Sequence, residues 1–139
     1  MGARTRRVTA TAMVGLALAL AGCAAPGLPA GETAVWELQS TPSPGSTSID
    51  VGVTRLECAS GVTGTVLGPR VTAEDDRIVI TTPVADNRSD AATCQGNDVV
   101  PVTVELGEPI GDRMLVDGAC LATEAADTSF CEDAVRWRP

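Results

Sequence analysis

The chain has no histidine, no tyrosine and no lysine, so all ten of its basic residues are arginine. Without histidine there is no Ser-His-Asp triad and no Cys-His pair. The commonest ligand for zinc, copper and haem is missing as well. Without lysine there is no Schiff base and no Ser-x-x-Lys nucleophile. The aromatic residues are Trp36, Phe130 and Trp137 alone, too few to build a stacking platform for sugars or bases. These absences point away from an enzyme, although carboxylate chemistry stays open, and no cofactor is expected.

What is present is most specific at the amino terminus. Arg4, Arg6 and Arg7 precede an apolar run from Val8 to Ala21 in which Thr9 and Thr11 are the only polar side chains. That is the layout of a secretory signal peptide, and the run is shorter than the ~20 residues that span a bilayer. Leu20-Ala21-Gly22-Cys23 closes it and resembles the lipobox of bacterial lipoprotein precursors. The resemblance implies that residues 1–22 are a lipoprotein signal peptide, cleaved just before Cys23. It also implies a diacylglyceryl group on the Cys23 thiol and a mature protein at the extracytoplasmic face of the cell membrane.

Removing residues 1–22 leaves seven arginines against eighteen acids, a net charge of −11. A surface this acidic repels phosphate backbones, so no nucleic-acid partner is expected. It also argues against polybasic attachment to anionic lipid, which leaves the acyl group as the membrane contact. Residues 23–33 are rich in Pro, Gly and Ala and read as a lipidated flexible tether. Residues 34–139 are long enough for one domain with a core.

The mature chain alternates with period two. A first strand is predicted over Ala34 to Gln39, followed by a loop at Ser40–Ser48 that Pro42 and Pro44 keep irregular. Ile49, Val51 and Val53 share one face of the next strand, and Leu56 falls out of phase, suggesting a bulge near Arg55. Val62, Gly64 and Val66 read as a short strand, and Val71 with Ala73 as another. Glu74-Asp75-Asp76 forms a hairpin turn into Arg77–Val84, where Ile78, Ile80, Thr82 and Val84 share a face. Val100, Val102, Val104 and Leu106 alternate with Pro101, Thr103 and Glu105, and Pro101 places that strand at an edge or leaves it paired on one side there. Arg113–Asp117 is a short strand, and Val135 and Trp137 share a face of the last one. The expectation is an all-β domain: a small, disulfide-stapled antiparallel β-sandwich, Ig-like or barrel-like, of seven or eight strands. The two chain ends are expected to pair in one sheet, burying both tryptophans together and bringing Glu37 near an arginine.

Cys58, Cys94, Cys120 and Cys131 remain once Cys23 is assigned to lipid, and an exported domain favours disulfides. Four cysteines allow three connectivities, and the sequence alone does not choose among them. The favoured pairing is Cys58–Cys94 with Cys120–Cys131, because the second pair spans a polar, turn-like segment whose ends can meet. No Cys-x-x-Cys spacing supports a metal site. Glu74-Asp75-Asp76 and the cluster from Asp86 to Asp90 lack EF-hand spacing and read as turn chemistry. Adventitious Ca²⁺ binding and carboxylate catalysis are the alternatives at these clusters, and Glu74, Asp75, Asp76 and Arg113 are the candidates for partner binding.

Gly107 to Arg113, Val116 to Cys120, Cys58 to Gly61 and Cys94 to Asn97 together resemble small secreted lipoproteins of high-GC Gram-positive bacteria. The likeness covers residues 49–120 and implies a shared β fold and disulfide positions, without catalytic or binding residues. A non-enzymatic extracytoplasmic binding or interaction module, meeting an envelope or secreted protein, is the leading expectation. The alternatives are a small inhibitor or immunity-type protein against a secreted enzyme, and an enzyme using carboxylates alone.

Overall fold

Period-two alternation becomes strand wherever glycine and proline permit. The computed structural model, which describes residues 31–87 and 91–139, contains seven strands. They are β1 (Ala34–Leu38), β2 (Ser48–Arg55), β3 (Arg70–Ala73), β4 (Arg77–Thr81), β5 (Val100–Glu105), β6 (Met114–Asp117) and β7 (Val135–Trp137). A single helical turn, α1 (Ala119–Ala122), and two 3-10 turns at Glu124–Asp127 and Ser129–Cys131 are the only helical structure among the described residues. The segment read as a signal peptide, Cys23 and most of the stretch read as a tether lie outside the described residues, as do Arg88, Ser89 and Asp90.

The strands form two sheets, β1-β2-β5 and β3-β4-β6-β7. Their inner faces meet in one core of Ala34, Trp36, Ile49, Val51, Val53, Ile78, Ile80, Val84, Val104, Leu106, Ile110 and Leu115. The all-β, two-layer, disulfide-bearing architecture is therefore as the alternation predicted. β5 is an edge strand, as Pro101 requires. The hydrogen bond from Leu106 N to Thr47 O fixes even-numbered residues of β5 toward β2. Pro101 therefore faces the free edge, where its missing N–H blunts strand addition.

Several details differ from expectation. The sandwich is not wholly antiparallel, because β4 and β6 run parallel. Strands alternate in direction along the chain, β5 crosses to the other sheet, and two even-numbered strands left side by side must then point the same way. There is no bulge at Arg55: β2 pairs in regular register with β1, and Arg55 keeps the inward phase of Val51 and Val53. It is buried, donating through Nε to Thr63 O (3.1 Å) and through its terminal nitrogens to Glu32 and Ala85 O. Residues 62–66 are not a strand but a loop with one isolated bridge, Val66 to Val84. Gly61 and Gly64, both at positive φ, interrupt the extended backbone there.

The chain ends do not pair. β1 lies beside β2 and β7 beside β6, in different sheets. Trp36 is fully buried in the shared core and Trp137 packs against that same core from the other layer. The two rings thus meet one core without their strands being neighbours. Glu32, within the segment read as tether, already belongs to the fold through a bridge to Val84.

Candidate functional site

Odd-numbered residues of β1 point away from the core. Val35 is covered by Ala119, Cys120 and Ala125, with Leu56, Cys131 and Ala134 packed against them. This second small core lays α1 and the 3-10 turns over the outer face of β1. Cys120 is bonded to Cys131 (Cα–Cα 5.3 Å), which closes the segment on itself. Phe130 stands immediately before that bond and is 45% exposed. Its backbone is held in place, since Arg136 Nη2 donates to Phe130 O at 2.9 Å and Cys131 N to Thr128 O at 3.0 Å.

The second disulfide, Cys58–Cys94 (Cα–Cα 4.6 Å), anchors the loop leading into β5. Asn97 Nδ2 donates to Arg55 O (3.0 Å) and Glu57 O (2.7 Å), Asp98 N to Gly61 O (3.0 Å), and Gln95 Nε2 to Ser60 O (3.2 Å). This clamp places Val99, 57% exposed, beside the outer face of β2. Gly52 makes that possible: a Cβ there would lie 2.5 Å from Val99 Cγ1 and 2.4 Å from Gln39 Nε2.

Two troughs with Glu37 and Phe130 in common form a groove, the first of them lying between these two stapled segments. One trough, ≈ 270 Å³, is lined by Val35, Gln39, Gly52, Thr54, Asn97 and Val99 among others. The adjoining one, ≈ 530 Å³, is lined by Leu38, Ser129, Glu132, Asp133, Val135 and Arg136. Glu37 and Phe130 line both. A separate crevice at Gly31–Ala34, Thr81 and Gly118–Ala119 holds ≈ 150 Å³, below the 300–1,000 Å³ typical of ligand sites. The groove is the larger concave surface and the one with an exposed aromatic.

The chain matches no family model, no curated protein and no solved structure.

Its electrostatics are one-sided. Arg55, Arg77, Arg113, Arg136 and Arg138 each pair with a carboxylate, respectively Glu32, Glu74, Glu108, Asp117 and Asp133. Arg70 is engaged too. Within the groove, the pairing with Arg138 and a bond from Val135 N hold the Asp133 carboxyl below its usual range. Arg136 reaches under the floor to the buried Asp117 at 3.1 Å. Glu37 does share a groove with an arginine, but Arg136 pairs with Asp117 instead. Glu37 and Glu132 are left as the carboxylates of the rim without an ion pair.

The residues singled out from sequence lie elsewhere. Glu74, Asp75 and Asp76 form the β3–β4 turn, and Met114 N donates to Asp76 O at 3.0 Å. This brings them to the same end of the sandwich as Arg113, opposite the end where the chain enters at Gly31. Glu74 pairs with Arg77 at 2.6 Å. Arg113 folds back into its own turn, donating to Ile110 O (2.9 Å), Pro109 O (2.5 Å) and Glu108 (2.6 Å). Its guanidinium is a structural clasp. Among the described residues no three metal-ligating side chains converge. The groove's Phe130, Val99, Glu37 and Glu132 were not among the sequence candidates. The one available signal was Phe130 itself, a lone aromatic inside a polar, cysteine-flanked stretch.

Proposed function

We propose that the protein is a lipid-anchored extracytoplasmic lipoprotein whose β-sandwich is a non-enzymatic binding module, with the groove over β1 and β2 as its contact surface. Leu20-Ala21-Gly22-Cys23 behind a basic and apolar leader carries the anchoring half of this reading. Two disulfides agree with an oxidising compartment. The binding half rests on the groove: an exposed aromatic on a disulfide-clamped backbone, in a chain that lacks histidine and lysine. Gly31, where the tether meets the domain, lies at the end of the sandwich opposite the acidic turns at Glu74–Asp76 and Asp112.

Fractionation of cells producing wild type or Cys23→Ser tests the anchor. Wild type is expected in the membrane as a processed form, and the variant as uncleaved precursor or released protein. A variant that still fractionates with membranes after processing overturns the lipoprotein reading. Pull-down from detergent-solubilised envelope tests the module. A protein recovered by wild type and lost with Phe130→Ala supports it; recovery unaffected by Phe130→Ala moves the contact surface elsewhere.

A further inference from the structure

We propose that the groove receives an extended peptide segment of a partner protein in which basic side chains alternate with apolar ones. This rests on the binding-module reading and names the chemistry of the partner.

The shape favours an elongated ligand. The two troughs lie side by side, with Glu37 and Phe130 common to the linings of both. A compact small molecule would fill one trough and leave the other empty. An extended chain places successive side chains on opposite sides, so one set can pack on the exposed Val99 and Phe130 while the other meets the rim. Only a single aromatic faces the groove, which disfavours sugars and bases, whose binding relies on stacked rings.

The charge decides the rest. Each arginine among the described residues is already engaged within the domain. The groove therefore offers Glu37 and Glu132 as uncompensated carboxylates and no free cation, on a chain with a large acidic surplus. A cationic segment is complementary, and an acidic one, a phosphate backbone or an anionic lipid surface meets like charge. Both walls are clamped by disulfides, so little ordering cost remains on the protein side.

The test is a titration of ¹⁵N-labelled full-length protein in detergent micelles with two blocked hexapeptides, one alternating Arg and Val and one alternating Glu and Val. The Arg–Val peptide is expected to shift amides at Val35, Glu37, Gly52, Asn97 and Phe130. Glu37→Gln and Phe130→Ala should each weaken it about fivefold or more, while Asp75→Asn, in the distant turn, leaves binding unchanged. Both groove side chains are exposed, so equal melting temperatures will show that the variants are folded. Equal binding of the Glu–Val peptide overturns the proposal. So do shifts confined to the Glu74–Asp76 and Asp112 turns, and the absence of shifts in the groove. None of these results touches the anchor at Cys23, and loss of an envelope partner with Phe130→Ala would still support the module.

Discussion

Asp117 occupies the corner where the two sheets approach, and its carboxylate does what a neighbouring strand would do. Odd residues of β1 bond to β2, as Gln39 N to Asp50 O shows, so the N–H of Trp36 points outward from the sheet. Asp117 Oδ2 accepts it at 3.0 Å, Oδ1 accepts Ala119 N at 3.0 Å, and Arg136 completes the set. The Trp36 indole N–H reaches Ile80 O on the opposite layer, also at 3.0 Å. Asp117→Ala would leave a buried amide without its acceptor and a nearly buried guanidinium without its counter-charge, at a cost of about 3–5 kcal/mol; denaturant unfolding measures it. Burial pushes the Asp117 carboxyl up, outweighing the opposing pull of Trp36 N, Arg136 and Ala119 N. Asp133 is held down by Arg138 and Glu124 by Thr33. As pH falls, Asp117 should therefore protonate before Asp133, a sequence that ¹³C carboxyl shifts will follow. A carboxyl raised in the folded state takes up its proton earlier than the unfolded chain does, so acidification through that range favours folding through this group. Wild type should accordingly lose less stability on acidification than Asp117→Asn, which has no proton to gain; an equal loss would contradict the assignment. In the sequence, Asp117 reads as the polar end of a short strand. Its role was not legible there, because its partners are up to 81 positions away.

Among elements, β2, β4 and β5 were legible because alternation is a local property of residues whose two faces differ. Pairing was not, because it depends on which layer each strand joins. The crossover of β5 into the β1-β2 sheet makes β4 and β6 parallel, and no local signal announces it. The groove was illegible for a related reason: its two walls come from loops stapled far apart in sequence, at Cys58–Cys94 and Cys120–Cys131. β7 ties these levels together. It brings Trp137 to the core and Arg136 to Asp117, so a stop after Glu132 removes a strand and orphans a buried carboxylate. Such a truncation should lower the melting temperature sharply, and one that melts like wild type would place β7 outside the cooperative unit. Opening Cys120–Cys131 by paired Cys→Ala substitution should cost about 3 kcal/mol for a closed loop of this length. It should also loosen Phe130, seen as faster amide exchange at residues 128–131 with the β2–β5 amides unaffected.

The whole molecule carries a charge imbalance that local ion pairing does not remove. Five arginines form named ion pairs, yet residues 23–139 hold eighteen acids against seven arginines. Glu37, Asp75, Glu105, Asp112, Asp127 and Glu132 are all exposed. Compactness brings these like charges together, and the resulting self-repulsion opposes folding. Salt acts on both sides of this balance. It weakens the exposed pairs Glu74–Arg77 and Asp133–Arg138, which contribute little in water. It also screens repulsion among the many unpaired carboxylates, which lie within a Debye length or two of one another on a domain this small. The buried pair of Asp117 and Arg136 is shielded from either effect. Repulsion should dominate, so the melting temperature should rise as sodium chloride is raised from 10 to about 300 mM, where the Debye length falls well below 10 Å. Neutralising one unpaired site with Asp75→Asn should raise the low-salt melting temperature and flatten its dependence on salt. A melting temperature that falls with salt would instead mean that the surface ion pairs, not the surplus of acid, set the electrostatic balance of the fold.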